Sequence, residues 1–280
     1  MAIKDAHARA WARFAPLLDE LVAELPLLRQ AVKSGSCPLR GLVAQRMWWA
    51  CAPFSAHFIT PMAAVAGAVA QELVACYECN GVRRAWVNNG GDIALHLARG
   101  ASVAVGLYAD LARLSLQEVV QGVTTDGQFQ VTHAMPVRGV ATSGWRGRSF
   151  SLGIADSVTV LAASAAQADA AASMVANAVN VADSRILRRP ARDLKDDSDL
   201  GDIPVTVDVP PLGVVLARQA LAAGLARARE LQAAGLLQAA FLVCQGQTAV
   251  AGPVARVTGG AHSGLAAAVS GPAQMGSVFA

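Results

Sequence analysis

The sequence predicts an α+β protein in which helices pack around mainly antiparallel sheet. Three observations carry this. Apolar residues recur at helical spacing in the first eighty residues and in two later segments. Short β-like runs separated by Asn-Gly-Gly and Arg-Gly breaks fill much of residues 84–162. The helices are segregated around these hairpin-connected strands instead of alternating with them, which argues against a doubly wound parallel sheet.

Residues 5–33 read as helix, with Trp11, Phe14, Leu18, Leu21, Val22 and Leu25 at helical spacing and breaks at Pro16 and Pro26. Ser34-Gly35-Ser36 stops it. Residues 40–51 alternate loosely and are expected to form a strand. Pro53 and Pro61 bracket a loop holding His57, and a helix follows from about Met62 to Cys79, ended by Asn80-Gly81. Strands are predicted at 84–87, 93–97, 102–108, 128–132, 137–142 and 158–162. Ser164, with Gln167 three residues on, opens a helix expected to reach Asp183. Residues 184–202 read as an exposed loop, 206–209 as a strand, 213–234 as a helix, and 239–244 and 248–251 as strands. No fixed-period repeat or linker divides the chain. A single domain over residues 1–280 is expected, with an N-terminal helical segment 1–36 and an irregular Gly/Ala-rich segment 253–280.

Composition excludes several function classes. Of the 280 residues 54% are apolar and 15% charged, so a disordered chain is ruled out. A net charge of +3 is too small to argue for nucleic acid. Lysine occurs only at Lys4, Lys33 and Lys195, so the cations are nearly all arginine, which suits phosphate and carboxylate; coding composition accounts for the bias equally well. The longest bland stretch, Pro61–Cys76, is too short to span a bilayer and carries Gln71 and Glu72, so no membrane role is expected. Five cysteines without framework spacing and a start without a signal-peptide pattern lead to a cytoplasmic expectation. Alanine-rich surfaces lead to the expectation of a homo-oligomer.

Three elements carry candidate chemistry. Asp169, Ser173, Asn177 and Asn180 share one face of the helix after Ser164, among alanine, valine and methionine. Short oxygen ligands in such surroundings suit a hard cation such as magnesium; a polar seam bonded to a neighbouring loop fits the same spacing. Asn88-Asn89-Gly90-Gly91-Asp92 lies between two β-like runs. Its glycines permit close approach of a ligand, and Asp92 could orient an attacking hydroxyl, although Asn-Gly is also a strong hairpin signal. Thr142-Ser143-Gly144-Trp145-Arg146-Gly147-Arg148 offers two hydroxyls and two arginines to a phosphate, or forms an ordinary turn. His57 and His262 are lesser acid–base candidates. Cys76-Tyr77-Glu78-Cys79 has no partner pair for zinc, and Asp196, Asp197 and Asp199 miss calcium-loop spacing.

Val87-Asn-Asn-Gly-Gly-Asp92, then Val140-Ala-Thr-Ser-Gly144, then Val158–Ala162 followed by Ala168-Asp169-Ala-Ala-Ala-Ser173, resemble in order and spacing the ApbE-like superfamily of flavin transferases. The likeness covers about residues 60–182. It implies an ApbE-like fold and a magnesium-dependent activity that cleaves the pyrophosphate of FAD and attaches the FMN half to a threonine of a protein acceptor. It also implies metal ligation by Asp169 and Ser173, the serine replacing the usual threonine. By resemblance the turn Gly90, Gly91 and Asp92 helps bind the dinucleotide; Asn89, Thr142, Ser143, Gly144 and Asn177 are further ligand-binding candidates from the elements above, and Asp92 and His57 are the catalytic candidates. After Thr-Ser-Gly those enzymes carry a His, an Asp-Pro and a Thr-Gly; here only Trp145–Ser157 intervenes, with neither His nor Pro, and Asp156 is read as a remnant. The chain thus resembles an uncharacterised side branch. Three functions follow: a metal-dependent protein acting on FAD or a related phosphorylated dinucleotide, an enzyme for another small metabolite on the same scaffold, or a non-catalytic binding protein.

Overall fold

The computed structural model describes residues 2–107 and 127–252. Four helices open the chain: α1 (Ala2–Phe14), α2 (Leu17–Ala23), α3 (Leu25–Leu28) and α4 (Leu42–Cys51). A 3-10 turn, Pro61–Ala64, leads into α5 (Val65–Ala75). The strands β1 (Arg84–Asn89), β2 (Asp92–Leu97), β3 (Ser102–Leu107), β4 (Gly127–Thr132), β5 (Gly139–Ser143) and β6 (Ser157–Ala162) precede α6 (Ala165–Ala178). Then come β7 (Leu187–Pro190), β8 (Pro204–Asp208), α7 (Val214–Ala233), β9 (Ala239–Cys244) and β10 (Gln247–Ala251).

The sheet has six strands in the order β1-β2-β5-β6-β9-β10, every neighbouring pair antiparallel. The expected α+β class is therefore observed. On one face lie α5 against β1 and β2, α6 against β5 and β6, and α7 against β9 and β10. The antiparallel β3–β4 pair covers the other face, where Val105, Phe129 and Val131 meet Leu95, Leu161 and Phe241. Period-two alternation assigns the faces: in β9, Ala240, Leu242 and Cys244 join the helix-side core, while Ala239, Phe241 and Val243 join the β3–β4 side. A strand flanked on both faces reads as a continuous apolar run, as β6 and β9 do.

Helix α6 is the centre of this packing. Nine of its fourteen residues are buried, seven of them alanine. Alanine lets neighbouring backbones approach closely, and glycine completes the approach. A Cβ on Gly67 of α5 would stand 2.3 Å from the Ala165 carbonyl oxygen, one on Gly139 of β5 2.2 Å from Ser164 backbone, and one on Gly153 2.0 Å from the Ala176 carbonyl oxygen. The helix begins as its capping box predicts, with Gln167 N–H donating to Ser164 Oγ.

Three expectations are corrected. Residues 40–51 form α4, not a strand: Val43, Ala44, Met47, Trp48 and Cys51 are its buried face, a helical spacing that loose alternation imitates. Helix α6 stops at Ala178 instead of Asp183, because Val179 turns extended and its carbonyl accepts from Ile154 N–H. The segment read as loop at 184–202 contains β7, paired with β8 as a separate two-stranded ribbon. In the N-terminal helices Trp11 is 57% and Leu18 69% exposed, while Ala6, Leu17 and Leu28 pack inward. The break at Pro16 re-aims α2 relative to α1. The strand expected at 102–108 is observed over 102–107, and His262 with segment 253–280 lies outside the described residues.

Glu72, near the C-terminal end of α5, fastens the N-terminal helices. Arg13 Nε of α1 donates to one carboxylate oxygen and Arg46 Nη1 of α4 to the other, each at 2.7 Å. Burial alone would raise this carboxyl, but the two arginines hold it below its usual range.

Candidate functional site

The candidate site lies where the N-terminus of α5, the β1–β2 turn, the end of β5 and the middle of α6 converge. Asp169 projects from α6 to the first turn of α5, and its Oδ2 accepts from Gly67 N–H at 2.9 Å. The Ala66 amide also bonds this carboxylate. These are the amides a helix leaves unpaired at its start, and the helix dipole favours an anion there. Gly67 thus serves twice: it lets α5 touch α6, and it supplies the amide that holds Asp169.

Asp92 opens β2 beside this carboxylate, and its Oδ1 accepts from Thr142 N–H of β5 at 3.2 Å. Burial lifts Asp92 to about 6, and the Thr142 amide opposes the rise. Asp169 is pushed well above the usual carboxylate range, first by burial and then by the charge of Asp92; the amides of Gly67 and Ala66 pull the other way. Neither carboxylate has a cationic partner among the described residues. Cys51 of α4 reports the same field, its thiol raised by burial and then by Asp169.

The β1–β2 turn has the glycine geometry anticipated from sequence. Gly90 and Gly91 take φ of 70° and 117°, conformations that favour glycine. Gly91 N–H donates to Asn88 Oδ1 at 2.8 Å, and Asn89 Nδ2 donates to the Ala66 carbonyl at 3.2 Å, tying the turn to the start of α5. It is thus both a hairpin turn and a wall of the site. Thr142 is exposed, its hydroxyl 2.9 Å from Thr159 Oγ1. Ser143 is half-buried opposite Val158 in the ladder. Gly144 is buried because a Cβ there would stand 2.4 Å from the Asp156 carbonyl oxygen, so packing accounts for it.

Other predicted residues stand apart. Ser173 follows Asp169 by one turn of α6 and is half-buried, with no side-chain hydrogen bond among the described residues. Asn177 belongs to the polar seam: its Oδ1 accepts from Leu152 N–H at 2.9 Å and Ser151 Oγ at 3.2 Å. Asn180 continues the seam, donating to the Leu152 carbonyl and accepting from Arg188. His57 is exposed, and its only described hydrogen bond runs from its backbone N–H to the Phe54 carbonyl. Asp156 accepts from Gln245 N–H and lies 3.7 Å from Arg146, so it fastens the β9–β10 turn. Sequence reasoning missed the α5 amides and Cys51. The run Ala63-Ala-Val-Ala-Gly67 was the available signal for the amides, since only small residues allow that contact.

The donor set is oxygen: two carboxylates, one hydroxyl one turn away, and nearby backbone carbonyls. Two neighbouring carboxylates, Asp169 raised in part by the charge of Asp92, without an arginine or lysine partner among the described residues, fit a hard divalent cation such as magnesium, which takes its remaining ligands from phosphate or water. No group of three or more His, Cys, Asp or Glu that could hold a metal ion occurs among the described residues, so a cation here would rest on the two carboxylates and other oxygens.

A family model described as "AbpE bacteria" matches residues 1–255. The chain belongs to this family. It is also similar to archaeal proteins named UPF0280 protein. That of Methanospirillum hungatei is 39% identical over 132 residues, covering 47% of this chain and 50% of the relative. That of Methanothermobacter thermautotrophicus is 40% identical over 140 residues, half of each chain. That of Methanopyrus kandleri is 34% identical over 189 residues, 64% of this chain and 67% of the relative. The chain thus spans about half the length of the first two relatives. Among the described residues of this AbpE family member, no helix is long and apolar enough to cross a membrane.

Proposed function

We propose that this protein is an ApbE-like enzyme that binds FAD or a related phosphorylated dinucleotide with a divalent cation and transfers its phosphoryl-linked half. The observation that carries the reading is the pair Asp92 and Asp169, half-buried beside each other with no cationic partner among the described residues. Glu72, by contrast, is neutralised by two arginines. An unneutralised pair is poised for a cation.

Asp169 and Ser173 would hold the cation, which when bound would offset charge developing on the transferring phosphoryl group. The protein's own residues do the rest. The α5 amides fix the Asp169 carboxylate in place. The diglycine turn lets the ligand approach the backbone closely, and Asn89 anchors that turn to α5. Asp92, at about 6, is mostly ionised at neutral pH and weakly basic, so it accepts the proton of an attacking hydroxyl. In the transfer a new phosphorus–oxygen bond to the acceptor forms, the pyrophosphate bond breaks, and the nucleoside monophosphate leaves.

The test is thermal unfolding with magnesium, with FAD, and with both. A ligand bound only by the native state raises the unfolding midpoint by mass action. The pair should raise it together at millimolar concentration, and Asp169→Asn should abolish the effect. No shift in the wild-type protein with both present would contradict the reading. A shift with a phosphorylated metabolite but not with FAD would keep the cation site and overturn the flavin.

A further inference from the structure

We propose that Arg148 is the specificity-determining residue of this site: its guanidinium, standing on the Gly90-Gly91 turn, holds a phosphate of the ligand, so that the site selects phosphorylated over phosphate-free molecules. The inference rests on the reading above for the location of the site, but it concerns a different group and a different contact.

The two arginines of the segment after β5 are used differently. Arg146 is engaged: its Nε lies 3.7 Å from Asp156 Oδ1 and its guanidinium stands 5.1 Å from the centre of the Trp145 ring. Arg148 has no hydrogen bond or ion pair among the described residues, although it is carried on a fixed turn. Trp145 N–H donates to the Ala155 carbonyl at 3.0 Å and Gly147 N–H to the Gly144 carbonyl at 3.1 Å. Gly144 is pressed against the Asp156 backbone. The chain therefore leaves little freedom in where residue 148 emerges.

It emerges over the diglycine turn. Nη1 of Arg148 lies 3.7 Å, and its Cζ 3.9 Å, from where a Cβ on Gly90 would stand, so the guanidinium rests against a backbone without a side chain. Beside it, the corresponding position on Gly91 meets nothing within 4 Å. An anion on the guanidinium thus has open space above the bend. Asp92, which directly follows the bend, is directed to the Thr142 amide and makes no ion pair with the arginine. A negative pair and an unengaged guanidinium are thereby kept apart at one site. A phosphorylated ligand with a divalent cation satisfies both, since the fork of an arginine matches phosphate oxygens and a magnesium ion bridges phosphate to carboxylate.

Calorimetric titration at fixed magnesium tests this with three probes: inorganic pyrophosphate, FAD, and riboflavin as the flavin without phosphate. The proteins are wild type, Arg148→Gln, Arg148→Lys and Asp169→Asn. Arg148 is exposed, so its variants should unfold at the wild-type temperature. Arg148→Gln should weaken pyrophosphate and FAD by roughly tenfold or more, the effect of losing a charge-assisted hydrogen bond, and leave riboflavin unchanged. Arg148→Lys should recover part of the loss. If Arg148→Gln binds pyrophosphate and FAD as tightly as wild type while Asp169→Asn loses them, the inference falls and the proposed function stands. If wild type binds pyrophosphate through Arg148 but no flavin, the inference stands and the flavin reading falls. If wild type binds none of the three, both fall.

Discussion

Helix α5 meets a carboxylate at each end, and the two are treated in opposite ways. Near its C-terminal end, Glu72 is gripped by Arg13 and Arg46 at 2.7 Å and sits below the usual carboxylate range. At its N-terminus, Asp169 receives only two amides, faces Asp92, and sits far above that range. Both carboxylates are desolvated; the difference is the compensation. Where the charge fastens helices together, the chain supplies arginines. Where Asp169 and Asp92 meet, the described residues supply none, and a repulsion is left standing that a cation would relieve. Repulsion retained in a folded protein destabilises it, and such carboxylates cluster at functional sites.

The sharpest way to break the comparison acts on the contact that both helices share. Gly67→Ala drives a Cβ to 2.3 Å from the Ala165 carbonyl oxygen and displaces the amide holding Asp169. It should cost about 3 kcal/mol or more, read by denaturant unfolding, because backbone cannot move aside as a flexible side chain can. Glu72→Gln tests the neutralised end. Removing one partner of a half-buried ion cluster leaves two arginines competing for a neutral amide, and a loss of about 2 kcal/mol is expected, without change in ligand binding.

Asp92→Asn tests the other end and carries the opposite sign. A carboxyl raised from 3.8 to about 6 by folding binds its proton more tightly in the native state. The native state is therefore penalised as pH rises from about 4 to about 6, and the penalty is constant above that. Asp92→Asn should stabilise the ligand-free protein by ~3 kcal/mol at pH 7.5 and change little at pH 4. Glu72→Gln has the reverse profile: a depressed carboxyl stabilises above its unfolded value, so that variant's deficit shrinks as pH falls below about 4. Equal pH profiles for the two variants would contradict the account. The smallest expected effect is at the far end of α6. Asn177→Ala frees Ser151 and Leu152 N–H from their acceptor and should cost about 1 kcal/mol, with cation response intact.

The contrast also shows what was legible in the sequence. The α+β class, the helix start at Ser164 and the strands β1, β2, β6 and β9 follow from local rules of capping, turn chemistry and alternation, and they stand in the structure. The diglycine turn was legible because positive φ at two successive positions has a chemical signature. The seam of Asp169, Ser173, Asn177 and Asn180 was legible as a face, but its division was not. Whether an Asn holds a loop or lines a site depends on which segment tertiary packing brings to it; here the 151–152 backbone takes Asn177. The α5 amides lie about a hundred residues from Asp169, and no local pattern pairs them. Helical spacing in α1 and α2 does not tell which face packs inward: Leu17, not Leu18, is buried after the break at Pro16.

The central claim is that Asp169, with Asp92 beside it, lies at a cation site. Calorimetric titration of magnesium into the wild-type protein and Asp169→Asn, at pH 5.5 and pH 8, tests it most directly. The wild type should bind at pH 8 and clearly more weakly at pH 5.5, where protons compete for both carboxyls, and the variant should bind at neither. Equal magnesium binding by the two proteins, or binding indifferent to pH, would contradict it.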